Sequence, residues 1–149
     1  MKLKSILLAF ALLFLPISTV AQEIKCNNKS TCVKDNDLFV TVKKIVKRGK
    51  VLIIQLEFYA LGKLYLDFSG GKKGEGAILL DSNGNEFKLN GISNIKLYSG
   101  ENRVISLRFK DDIKEPFDLT IKTKYREFTL FGLNSEGQTK NNDGNNTQK

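Results

Sequence analysis

Histidine and tryptophan are absent from the 149 residues, and cysteine, proline and methionine number two, two and one. Without imidazole, every mechanism that uses histidine as base, proton shuttle or metal ligand is excluded. Two thiols alone do not make a usual zinc site, and they are too few for a scaffold held by several disulfides. Long apolar runs are equally scarce. The one present spans residues 6–15 and stops at Pro16, about half of the roughly 20 residues a membrane-spanning helix needs. Downstream of it no segment carries a convincing apolar stripe at helical spacing.

What is there begins with an address. Lys2 and Lys4 precede the apolar run, and small residues at Thr19 and Ala21 follow Pro16, which is the charged, apolar and cleavage order of a secretory signal peptide over residues 1–21. Cleavage after Ala21 would start the mature chain at Gln22 and leave no membrane anchor. The net charge of +8 then falls to +6, because Lys2 and Lys4 leave with the segment. The location expected is secreted or periplasmic, where DNA is not the partner and an anionic glycan or a protein of the cell envelope is. Lys43, Lys44, Lys47, Arg48 and Lys50 gather near one turn, a charge run read first as a solvated face.

In an oxidising compartment Cys26 and Cys32, with five residues between them, read as a disulfide closing a small loop in the segment 22–36. Such a loop contributes on the order of 2 kcal/mol in the chain-entropy account. The spacing does not match the C-x-x-C redox motif.

From Asp37 the hydrophobic period is two. Leu38, Val40 and Val42 share a face, as do Leu52, Ile54, Leu56 and Phe58 after the turn at Gly49. Further strands are predicted at 64–68, 77–80, 86–89, 95–98, 104–110, 117–123 and 127–133, with Asn83-Gly84 as a hairpin turn. Seven to nine short strands in about 100 residues argue for an all-β sandwich or a small barrel, the sandwich preferred. Residues 134–149 hold no aliphatic or aromatic side chain and read as a disordered polar tail.

The succession of an early strand pair, Leu79-Leu80-Asp81-Ser82-Asn83-Gly84-Asn85-Glu86-Phe87, Ser99-Gly100-Glu101 leading into Val104-Ile105-Ser106-Leu107-Arg108-Phe109, and Phe117-Asp118-Leu119-Thr120-Ile121 resembles the small exported immunoglobulin-like domains of bacteria. The resemblance spans residues 37–133. It implies an immunoglobulin-like antiparallel β-sandwich and brings no catalytic residue with it; many such domains have no assigned activity. Lacking a core tryptophan and an inter-sheet cysteine pair, the chain does not match antibody-type domains.

Several constellations invite chemistry. Ser69 and Lys72 have the S-x-x-K spacing of serine acyl-transferases, but they lie in a glycine-rich run without the partner motifs. Asp81, Asn83 and Asn85 alternate like calcium ligands, yet the sixth and twelfth positions are Glu86 and Ile92 instead of Gly and Glu. Asp111 with Asp112, or Glu57 with Asp67, could be the two carboxylates of a glycosidase; a solvated turn and a surface ion pair explain them as well. The face favoured for contact combines Gln55, Glu57 and Tyr59 with Lys63, Tyr65 and Asp67, on the assumption that their two strands pair. Tyr59 and Tyr65, with Lys72 and Lys73 on the loop at 70–76, are the expected ligand-binding residues. No cofactor or metal is expected. The reading is a non-catalytic exported binding module; the alternatives are a small secreted hydrolase and a soluble inhibitor of a secreted enzyme.

Overall fold

The structure, a computed structural model, describes residues 31–68 and 74–136. The signal segment, Cys26, Ser69, Lys72, Lys73 and the tail from 137 lie outside the described residues, so the expectations attached to them rest on sequence. Ten strands are described: β1 (Cys32–Asp35), β2 (Leu38–Arg48), β3 (Val51–Ala60), β4 (Leu64–Leu66), β5 (Gly76–Asp81), β6 (Glu86–Leu89), β7 (Ile95–Leu97), β8 (Asn102–Phe109), β9 (Phe117–Lys122) and β10 (Glu127–Leu133). The class is all-β, with every pairing antiparallel. No helix among the described residues is long and apolar enough to cross a membrane.

Two four-stranded sheets, ordered β1-β2-β3-β8 and β10-β9-β5-β6, are joined by a two-stranded ribbon of β4 and β7. The alternation read from the sequence is the alternation of burial. Along β3 every second residue from Leu52 to Ala60 is buried, and along β9 Phe117, Leu119 and Ile121 are. These inward residues, with Leu79 of β5, Leu130 of β10 and Leu64 and Leu66 of β4, form one apolar cluster. Phe58 and Phe128 meet edge to face across the sheets, their centroids 6.3 Å apart. Burial of these side chains at about 25 cal/mol per Å² drives the stacking of the sheets.

The strand count exceeds the seven to nine expected by one, because β1 lies in the stretch read as a loop before Asp37. Its partner is β2, with Cys32 opposite Thr41. In β2 the register slips between Val42 and Lys44, so that Lys43 is an extra residue and the apolar phase moves from Val42 to Ile45. The glycine-rich run is not loop throughout: Gly76 opens β5, opposite Lys122.

A charged clamp ties the turn between β1 and β2 to the turn between β9 and β10. Both terminal guanidinium nitrogens of Arg126 donate to the carboxylate of Asp37, Nη2 to Oδ2 at 2.8 Å, and Nη1 also lies 3.4 Å from Asp35 Oδ2. The Arg126 hydrogen bonds hold the Asp37 carboxyl below its usual range, and burial opposes that only in part. Since each side chain is 28% exposed, solvent screens some of the attraction. Arg126→Ala is expected to cost about 1–2 kcal/mol in urea denaturation. A carboxyl lowered on folding stabilises above its unfolded value of about 3.9, and that contribution goes as the pH falls through the folded value. The gap between wild type and Arg126→Ala should therefore be full at pH 6 and close under acid. A gap independent of pH would mean that lost packing accounts for it.

Candidate functional site

Tyr59 projects from the outer face of β3, between Phe39 of β2 and Asn102 of β8. The same face carries Glu57, opposite Thr41 and Val104. With Thr41 and Lys43 these residues line a recess of about 400 Å³ formed by Phe39, Thr41, Lys43, Glu57, Tyr59 and Asn102. The slip at Lys43 belongs to the site, for the lysine ammonium lies 2.9 Å from Glu57 Oε2. Asn102 Nδ2 donates to the other oxygen of the same carboxylate at 2.8 Å. Glu57 is thus held from both sides, while the Tyr59 hydroxyl has no hydrogen-bond partner among the described residues. An aromatic face beside fixed donors and acceptors suits a hydroxylated ligand or a polar side chain.

Tyr65 is elsewhere. β3 already has β2 and β8 on its two edges, so it cannot also pair with β4, whose partner is β7. The joint face assumed for Gln55, Glu57 and Tyr59 with Lys63, Tyr65 and Asp67 is not formed by paired strands. Tyr65 stands half exposed on the ribbon opposite Lys96, its hydroxyl accepting from Asn94 Nδ2 at 3.0 Å. Lys96 in turn lies 5.6 Å from the centre of the exposed Tyr98 ring. The structure therefore puts the two tyrosines on strands of different sheets.

The other candidates resolve into structural chemistry. Asp81 is buried, and its Oδ1 accepts from the backbone N–H groups of Asn83 and Asn85 at 3.0 and 2.9 Å. Its Oδ2 accepts from Asn85 Nδ2 and from the Lys114 N–H, both at 3.3 Å. Burial pushes the pKa of this carboxyl up, but the hydrogen bonds from Asn85, Lys114 and Asn83 outweigh it and the net shift is downward. The carboxylate organises the β5–β6 hairpin and anchors the loop before β9. Asp112 pairs with Lys114 at 2.7 Å in an exposed loop, and that hydrogen bond lowers its pKa. The basic cluster around the β2–β3 turn is dispersed: Lys43 faces Glu57, and Lys47 donates to the Ile113 carbonyl. Among the described residues no group of three or more acidic or thiol side chains is placed to hold a metal. Glu75 Oε2, just before β5, is buried without a hydrogen-bond partner.

A second depression, of about 390 Å³, lies between the open edges of the two sheets, lined by Leu89, Ile92, Ile105, Arg103 and Arg108 among others. Reading the sequence missed it and also missed the parts of the first recess contributed by β2 and β8. Three odd-numbered β2 residues, Phe39, Thr41 and Lys43, share the outer face of the strand, and that much was available from alternation. Comparison with family models, curated proteins and solved structures found no match to this chain.

Proposed function

We propose that the chain is a non-catalytic exported binding module, built as an immunoglobulin-type sandwich, that contacts an envelope glycan or another envelope protein. The fold part of this reading is supported by strand order: β2-β3-β8 and β10-β9-β5-β6 follow the A-B-E and G-F-C-C′ succession of that architecture. The observation that carries the function is the outer-face recess around Tyr59. It offers one aromatic ring with an unengaged hydroxyl, a carboxylate already neutralised by Lys43, and the amide of Asn102. Those groups match sugar hydroxyls, so a glycan is the favoured ligand. The recess contains one carboxylate, whereas glycoside hydrolysis by the usual route takes two. Lys72 and Lys73 remain proposed contacts to an anionic part of the ligand, and the Cys26–Cys32 bridge a proposed support for β1.

Titration with soluble N-acetylhexosamine and hexose oligomers, followed by nuclear magnetic resonance shifts, tests the site. Tyr59→Ala and Glu57→Gln are expected to weaken binding at least about ten-fold each, the scale of losing an interface aromatic or a charge-assisted hydrogen bond, with little change in thermal midpoint. Shifts that cluster away from residues 39–43, 57–59 and 102 would remove the recess as the site. Turnover of the oligomers by purified protein, lost in Glu57→Gln, would instead establish the hydrolase reading.

A further inference from the structure

We infer that the open edge of β8 is a docking site for an extended acidic segment of another protein, added to the sheet as a further strand. This is a different surface from the Tyr59 recess and does not rest on the reading given for it. β8 ends its sheet, with β3 as its one strand partner. The phase of its hydrogen bonds follows from the turn before it. Ala60 N–H donates to the Glu101 carbonyl at 2.9 Å and Gly100 N–H to the Ala60 carbonyl at 2.8 Å, with Gly100 at φ 86°. That is a bulge with glycine in its first position. Alternation along an antiparallel pair then turns the bonding groups of Arg103, Ile105, Leu107 and Phe109 toward β3. Those of Asn102, Val104, Ser106 and Arg108 point to the open side, where no backbone hydrogen bond reaches them among the described residues.

Unpaired edges template strand addition unless they are short, bulged, covered or guarded by charge. This one is eight residues long and runs in register with β3 over its whole length. Beside it lies the 390 Å³ groove, whose floor is the partly buried Leu89, Ile92 and Ile105. Arg103 and Arg108 flank that floor, and no carboxylate lines the groove. Neither guanidinium has an ion pair or hydrogen bond among the described residues. At about 3.3 Å per residue the two arginines are roughly 16 Å apart along the strand, the reach of a six-residue extended peptide.

Charge decides the occupant. A second copy pairing through β8 about a two-fold axis would set a basic strand against itself, bringing two arginines and no carboxylate from each copy to the seam, and like charges brought together across a strand pair are destabilising. A strand with a carboxylate at each end and apolar residues toward the groove meets both arginines and the floor together.

The probe is a fluorescein-labelled hexapeptide, Asp-Val-Thr-Val-Thr-Asp, whose two valines share the face that would turn inward when it runs antiparallel to β8. Saturable binding by fluorescence polarisation is expected, weakening as salt rises. Arg103→Glu combined with Arg108→Glu should lower affinity at least ten-fold. Ser106→Pro removes an N–H that points to the open side and leaves the bonds to β3, so it should abolish binding while the thermal midpoint stays near that of wild type. Should that variant fail to fold, backbone N-methylation of the peptide makes the same test from the other partner. The Tyr59→Ala protein should bind the peptide as wild type does. Full affinity for Ser106→Pro protein or for N-methylated peptide would overturn strand addition, as would a lysine-ended peptide binding equally well. Dimerisation through this edge, displaced by no peptide, would give the surface to a second copy and overturn the acidic occupant.

Discussion

Replacing Phe58 by alanine should lower the free energy of unfolding by about 3–5 kcal/mol, the largest loss expected from a single truncation in this chain. The side chain is fully buried in the second half of β3, opposite Val40 on one side and Arg103 on the other. Its ring meets the edge of Phe128 from the other sheet, so its removal opens a cavity where the two layers touch. Against a total stability of about 5–15 kcal/mol for a domain of this size, much of the margin would go. Phe58→Leu keeps an apolar group in most of the space and should cost about 1–1.5 kcal/mol. Urea denaturation separates the outcomes: the midpoint falls while the slope stays constant if the cavity alone is responsible. A loss below about 1 kcal/mol in the alanine protein would mean the sheets collapse onto the gap, which a close-packed interior does not readily allow.

The strands were legible because burial on one face leaves a period of two that no other element produces, and the inward sets Leu38, Val40, Val42 and Leu52, Ile54, Leu56, Phe58 were read correctly. Local alternation does not say which strands are neighbours. Tyr59 and Tyr65 were paired because their strands follow each other in sequence, whereas the chain leaves the sheet at Ala60 and β4 finds a partner about 30 residues later. The slip at Lys43 had a visible trace, an apolar interval of three from Val42 to Ile45, which is the signature of an inserted residue. β1 had almost none, for Val33 is the single aliphatic residue among its four. The candidate recess was half legible: Glu57 and Tyr59 stood on a polar face, but Phe39, buried on that same outer face, and Asn102 come to them only through pairing. The groove beside β8 could not be read at all, since it forms where two edges from separate sheets approach.

Gly76 joins the packing of the β5–β6 hairpin to that groove, and Gly76→Ala should damage both. The residue sits at φ 138° at the start of β5, where a Cβ would lie 2.3 Å from the Leu89 carbonyl oxygen and 3.5 Å from the Asn90 Cα. The obstructing atoms are backbone, so no rotamer relieves the clash; β6 must move away from β5 or the end of the pair must open. Strain of this kind is worth about 2–4 kcal/mol, combining a disfavoured backbone conformation with overpacking. Gly84→Ala is the control, because Gly84 has φ 80° in the same hairpin but open space where its Cβ would be. It should show the conformational cost alone, about 1–2 kcal/mol. Hydrogen exchange should then report faster exchange at residues 77–89 in Gly76→Ala than in Gly84→Ala. Because Leu89 and Asn90 also line the groove, the acidic hexapeptide should bind the first variant more weakly and the second unchanged. Equal effects of the two substitutions on exchange would show that the clash is relieved cheaply and that β6 is not held where it shapes the groove.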